Sequence, residues 1–242
     1  GGHVLQAYQK LAENIGANIV GVVRVPFPAE KPDDFPKHFP EILKKKPEVL
    51  IVCNYGADQL KCIQDINRAG LKNKMSVVHT LSELPVVKRI KPEDAVGMYW
   101  GGNFYWGLAG EIDSAKKFVE SYRKKYKVVP SGYSAYGYSG AMELLGAAAR
   151  VGKYPIDDLA IAQEFEGRSY AHYKNPQWWR PCDHQSFQDY YILKLKGPEE
   201  RKSPDDVSEI VGVTSWDLDM ERSCLALGNQ KQQWGQTGRS LP

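Results

Sequence analysis

Gly137-Tyr138-Ser139-Gly140-Ala141 departs from the G-x-S-x-G nucleophile elbow only at its last position, and a helix-forming run follows it. With Ser139 as nucleophile the chemistry would be acyl transfer, and the α/β hydrolases would be the class. Two features oppose that reading. An elbow needs a buried strand leading directly into the serine, whereas Pro130-Ser131-Gly132-Tyr133-Ser134 is turn chemistry. Asp183 and His184 are adjacent, so they are poorly placed to act as orienter and base on one another. The other chemistries are weaker. His38, His79, His172 and His184 lack the i,i+4 or H-E-x-x-H partners of a metal site, and no cofactor is implied. No glycine-rich phosphate loop of the G-x-G-x-x-G or G-x-x-x-x-G-K-[ST] type follows any expected strand.

A second set of residues suits binding without reaction. Asn54-Tyr55-Gly56, His79-Thr80 and Trp100-Gly101-Gly102-Asn103 each follow an apolar run with strand character. Glycine lets backbone amides approach a ligand, and an aromatic ring offers flat apolar contact with a polar handle. The plainer alternative is that Tyr55 and Trp100 cover the edge of the core. Tyr133, Tyr136 and Tyr138 precede a small-residue helix and divide between the same two roles.

These positions depend on the elements around them. Val4, Leu5, Tyr8, Leu11 and Ile15 recur at helical spacing before Gly16, which predicts a helix over 3–15. The β-branched run 17–25 predicts a strand covered on both faces and ended by Pro26. Helices are then expected over 36–46, 57–69, 84–90 and 110–126, and strands over 49–53, 75–78 and 96–100. Such alternation argues for an α/β fold built on a doubly wound parallel sheet. In such a sheet ligands gather beyond the carboxyl ends of the strands, which is where the three binding-type motifs fall. Beyond Pro130 the expected order is a helix ended by Gly152, a shorter helix over 156–165, an irregular aromatic stretch to Gln188, a strand over 190–196 and a surface tail. A wound unit ordinarily opens on a strand, yet this one opens on a helix, as though a first strand preceded it.

The composition is that of a globular chain. Thirty-two basic residues balance 29 acidic ones for a net charge of +3, and the basic runs Lys44-Lys45-Lys46 and Arg123-Lys124-Lys125 sit at expected helix ends. No nucleic-acid partner is expected. No apolar run approaches the length of a membrane span, and the first residues carry no signal-peptide pattern, which a processed exported protein would have lost. Of the four cysteines, Cys53 and Cys62 read as small buried hydrophobes, while Cys182 and Cys224 lie in polar, irregular surroundings where a bridge would pin the tail.

An ordered set of segments resembles a known family. Gly16-Ala17-Asn18-Ile19-Val20-Gly21, Asp34-Phe35, Lys46-Pro47-Glu48-Val49-Leu50-Ile51-Val52 and Arg68-Ala69-Gly70-Leu71 come first. Tyr122-Arg123-Lys124-Lys125-Tyr126 before Pro130 and Ala135-Tyr136-Gly137-Tyr138 opening a helix that ends Ala147-Ala148-Ala149-Arg150-Val151-Gly152 complete it. Over residues 3 to about 196 the set is similar to the branched-chain amino-acid-type periplasmic solute-binding proteins of ABC transporters, which have the type I Venus-flytrap fold. The resemblance implies a receptor that closes on a small solute and delivers it to a membrane permease, without bond chemistry. It implies a second-lobe domain over 1–129, hinge and returning first lobe over 130–188, and a final strand and surface tail packing on the second lobe over 189–242. The front part of the first lobe would then precede this chain. A periplasmic or extracellular location and a monomer when complete are implied as well, and a sensor of the same fold without a permease is the alternative within the class.

Carried onto this sequence, the resemblance puts ligand contacts at Tyr55, Gly56, His79, Thr80, Trp100 and Tyr133, and makes a Cys182–Cys224 disulfide sensible in an exported protein. His79 stands where amino-acid-binding members place a carboxylate for the ligand's ammonium group. A neutral imidazole cannot replace that acid, because an uncompensated buried charge is costly. The expected solute is therefore a carboxylate, amide, alcohol or aromatic acid rather than a plain amino acid.

Overall fold

The computed structural model describes residues 2–155 and 157–215. Helix α1 (Gly2–Ile15) is followed by α2 (Phe39–Lys45), β1 (Val49–Val52), α3 (Gly56–Arg68), β2 (Ser76–His79), α4 (Leu84–Val87), α5 (Pro92–Ala95) and β3 (Tyr99–Gly102). Then come α6 (Asp113–Tyr126), α7 (Gly132–Val151), α8 (Asp158–Phe165) and the short strands β4 (Ser169–Tyr170), β5 (Gln177–Trp179) and β6 (Ser186–Phe187). The strands β7 (Tyr190–Leu195) and β8 (Ser208–Thr214) close the described chain.

Two compact units share these elements. The first comprises the chain up to Gly102 together with Ile192–Val211, and the second comprises Asn103–Tyr191 with the chain from Gly212. The backbone therefore passes between units at 102/103, 191/192 and 211/212. The expected boundary at 129/130 falls inside the second unit, in the loop between α6 and α7.

The first unit is organised by a five-stranded sheet in the order β1-β2-β3-β7-β8, with β1, β2 and β3 parallel. Helix α3 follows from the sequence pattern. Gln59, Cys62, Ile63 and Ile66 lie on one stripe and are all buried, and Gly70 ends the helical region at φ +68, a conformation only glycine adopts cheaply. The mixed α/β class and parallel core match the expectation from strand and helix alternation.

The segment 17–25 does not. It has no regular secondary structure among the described residues, and Ile19, Val20, Val22 and Val23 are all exposed. β-branched residues favour extended backbone, but a strand also needs a neighbour to hydrogen-bond, and among the described residues β1 is paired only to β2. A second difference lies in the tail. Residues 208–214 form β8 beside β7, so part of the expected surface tail is a strand of the main sheet. The remainder of that tail, including Cys224, lies outside the described residues.

In the second unit, α7 starts at Gly132, nine residues before Ala141, the first of the apolar residues Ala141, Leu144, Leu145 and Ala148 that lead to Gly152. Ser131 caps it, its Oγ accepting from Ser134 N at 3.3 Å, so the apparent turn is a helix start. Ser139 is consequently a buried residue inside a helix rather than the apex of a strand-to-helix elbow. The aromatic stretch before Gln188 is a small antiparallel sheet, β4-β5-β6, with strands of two or three residues that leave no periodicity for a sequence reader. Its hairpin end is closed by Arg180, which forks onto Asp183 at 2.9 and 2.5 Å while its own backbone N donates to Gln185 O at 2.9 Å. Cys182, in this turn, is disulfide-bonded.

Candidate functional site

The ends of β1, β2 and β3 in the first unit bring the three binding-type motifs to one edge of the sheet. Parallel register aligns Val52 with His79 and His79 with Trp100. Beyond this row the loops are stitched together. Thr80 N donates to Val52 O at 3.1 Å, Ser82 N reaches Gly101 O at 3.4 Å, and the side chains of Cys53 and Thr80 are hydrogen-bonded.

The row divides by exposure. His79 is 1% and Trp100 2% exposed, whereas Tyr55 is 43% exposed. Trp100 donates its indole N–H to Ser208 Oγ at 2.8 Å, anchoring β3 to β8 across the intervening β7. Tyr55 sits in extended conformation at the start of α3, and no side chain caps that helix. Gly56 follows at φ +62, with open space where a Cβ would stand. The first turn of a 13-residue helix thus presents backbone N–H groups beside an exposed phenol ring. Asp58 in the same turn is already engaged, accepting from Ala29 N at 3.2 and 3.1 Å.

His79 is held neutral. Burial lowers its pKa to about 4, and neither ring nitrogen has a hydrogen-bond partner. In the unfolded chain the imidazole titrates near ~6.5. Between that value and 4 the unfolded chain binds a proton that the folded chain refuses, so stability falls as pH drops through this window. His79→Phe, which keeps a flat ring and removes the titration, should flatten the acid side of the stability curve in urea titrations between pH 7 and 4. An unchanged slope would show that His79 is not the group responsible.

The remaining sequence candidates lie elsewhere. Tyr133 is in the second unit, on the first turn of α7, half exposed and edge-on to Tyr136 at 6.5 Å. Tyr138 stacks on Phe118 at 5.0 Å. Among the described residues no group of three or more His, Cys, Asp and Glu is arranged to hold a metal ion, and no helix is long and apolar enough to cross a membrane.

Sequence reasoning passed over one residue at the strand tips. Gln59 is fully buried, its Nε2 donating to Leu81 O at 2.9 Å and its Oε1 accepting from Ser82 Oγ at 2.9 Å. The signal was present, since a polar residue occupies a position on the apolar stripe of α3. Two more such residues belong to the second unit. Glu143 of α7, 2% exposed, accepts from Trp179 Nε1 at 2.9 Å, lies 2.8 Å from His172 Nε2 and pairs with Arg168 at 3.4 Å. Lys174, 1% exposed, donates to Asn103 O at 2.7 Å and Asp189 O at 2.8 Å.

A parallel-cored sheet whose strand tips carry small and aromatic residues, in a chain that crosses three times between two units, is the architecture of the type I periplasmic binding proteins. The chain belongs to the periplasmic binding protein family, whose model matches residues 1–202. Solved structures agree on the fold. An amino acid ABC transporter substrate-binding protein from Pseudomonas fluorescens Pf-5 superimposes with a TM-score of 0.80 at 20% identity, over 91% of this chain and 58% of its own. A branched chain amino acid ABC transporter periplasmic ligand-binding protein from Burkholderia xenovorans LB400 gives 0.76 at 22% identity, over 89% and 56%. A solute binding protein of an ABC transporter from Rhodopseudomonas palustris BisB5, in complex with 3,4-dihydroxy benzoic acid, gives 0.73 at 18% identity, over 92% and 59%. This chain therefore spans under three fifths of the length of each of these proteins. No curated protein matches it.

Proposed function

We propose that this chain belongs to an extracytoplasmic solute-binding protein serving an ABC permease, and that it grips a small organic solute without altering it. In this reading the first unit is the second lobe, the second unit is the returning part of the first, and closure bends the chain at its three crossings. Tyr55, Gly56 and Thr80 contact the solute, with His79 and Trp100 forming the layer beneath them. Tyr133 contributes a ring from the second unit, and Cys182 pairs with Cys224.

The observation that carries the solute class is the charge of the strand tips. Residues 53–56, 79–82 and 101–102 hold no carboxylate, and His79 among them is neutral at physiological pH. The ammonium of a plain amino acid would find no counter-charge there. A carboxylate finds the uncapped first turn of α3, and an aromatic acid finds the exposed Tyr55 ring as well. The aromatic acid bound by the Rhodopseudomonas palustris protein is a ligand of this chemistry.

A thermal-shift screen with benzoate, 3,4-dihydroxybenzoate, acetamide, a short alcohol and leucine tests the proposal. A ligand present at 100 times its Kd stabilises by about 2.7 kcal/mol, which raises Tm by several degrees. An aromatic or aliphatic acid should produce the largest rise. A rise with leucine alone would overturn the solute class.

A further inference from the structure

We infer that Gln59 is the positioning residue of the solute site: one buried carboxamide that locks the first turn of α3 to the loop after β2, so that Tyr55, Gly56 and Thr80 are presented as one rigid constellation. The inference rests on the solute-binding reading for its functional meaning, but its geometric content stands apart from it.

Gln59 lies three residues after Gly56, in the turn of α3 that presents free backbone N–H groups. Its Nε2 holds Leu81 O at 2.9 Å and its Oε1 holds Ser82 Oγ at 2.9 Å. Leu81 and Ser82 directly follow Thr80, whose own N–H is bonded to Val52 O. Ser82 carries the connection onward, since its backbone N reaches Gly101 O at 3.4 Å. Gln59 thereby braces α3 to the loop after β2, and backbone bonds from Thr80 and Ser82 tie that loop to β1 and β3.

The chemistry requires an amide. The brace needs a donor toward Leu81 O and an acceptor toward Ser82 Oγ, and a neutral carboxamide supplies both without a buried charge. An ionised carboxylate offers only acceptors and would oppose Leu81 O, while methionine fills the volume and offers neither bond. Gln59 is wholly buried, so it touches no solute and acts only through the loops it holds. Preorganised loops spare a binding site the entropic cost of ordering them when the solute arrives.

The test uses the 242-residue chain, its Q59M and Q59E variants, and S82A as a milder change that removes a single bond. With benzoate as probe, Q59M should bind about tenfold more weakly, the equivalent of one to two lost hydrogen bonds, and S82A a few-fold more weakly. Q59E should bind weakly at pH 8 and recover toward pH 5.5, because a buried carboxyl protonates easily and its O–H can then donate to Leu81 O. Asp58, tied to Ala29, and the buried Glu83 are present unchanged in Q59M, which is therefore the control for that profile. A purely structural role would lower stability without this pH-dependent rescue. Equal benzoate affinity in all four proteins overturns the inference.

Should the unsubstituted chain fail to bind benzoate or the other screened solutes, that failure belongs to the solute-binding reading. The brace is then judged by amide hydrogen exchange. Exchange at residues 80–82 should rise at least about tenfold in Q59M, with residues 88–90 unchanged, as local release of a hydrogen-bonded loop demands. No rise at 80–82 overturns it.

Discussion

Glu143→Ala should destabilise the second unit by about 4 kcal/mol, the range for removing one partner from a buried, hydrogen-bonded charge cluster. The carboxylate of Glu143 is the shared acceptor for groups from three points around the small sheet: Trp179 at 2.9 Å, His172 at 2.8 Å and Arg168 at 3.4 Å. Alanine would leave all three facing an apolar helix, with their desolvation uncompensated. Glu143→Gln should cost much less, about 1 kcal/mol, because its carbonyl still accepts from Trp179 and its NH2 group can donate to His172 in the opposite tautomer. Urea unfolding followed by tryptophan fluorescence measures both, since Trp178 and Trp179 lie in β5 beside the cluster. If alanine and glutamine cost the same, the loss traces to the removed charge and not to the packing and hydrogen bonds that glutamine keeps.

Lys174→Ala is the second large effect, about 3 kcal/mol, from two orphaned carbonyls and a cavity where the side chain lay. The ammonium also faces the rings of Tyr191 at 5.5 Å and Tyr173 at 5.7 Å. Burial lowers its pKa to about 7, partly opposed by the Asp189 carboxylate. The sign of the resulting pH dependence follows from linkage. From about 7 up to the ordinary lysine value near ~10.4, the unfolded chain holds a proton that the folded chain has released, so stability rises with pH across that window. The amine keeps two N–H donors after deprotonation, so both carbonyls remain satisfied throughout. Lys174→Ala should remove this alkaline rise along with the 3 kcal/mol. A variant that retains the rise would trace it to another group. The position gives the residue further interest: Asn103 immediately follows one passage between units, and Asp189 lies three residues before another.

Both residues were out of reach of pattern reading, for a physical reason. Glu143 interrupts the stripe formed by Ala141, Leu144, Leu145 and Ala148, so a helical wheel assigns it to solvent, whereas Leu144 and Leu145 are the exposed ones and Glu143 the buried one. Which face of α7 turns inward is set by what packs against it, and here that is a sheet whose strands are too short to announce themselves. Lys174 lies in a loop, where no periodicity exists to be broken. Gln59 was legible in principle, because the helix that carries it was expected over 57–69 and Ile63 and Ile66 mark its buried face.

Local rules carried the rest. Continuous apolar runs of four or five residues, helices with a 3.6-residue stripe and glycine at their ends are properties of short segments, so β1 to β3, α3 and α6 could be read from the sequence to within a few residues. The strand-tip rule likewise selected the loops at Tyr55, Thr80 and Gly101. Long-range pairing decided the remainder. Register buried His79 and Trp100 while leaving Tyr55 exposed, the run 17–25 stayed outside every ladder because hydrogen-bonding partners are not encoded by composition, and a stretch of the expected tail became β8 because β7 offered it an edge. Sequence alone determined the elements that short-range pattern specifies and singled out the loops proposed to carry binding chemistry. The tertiary structure alone decided which side chains face that chemistry and which are spent holding it in place, because burial and hydrogen-bond pairing join residues that lie far apart along the chain.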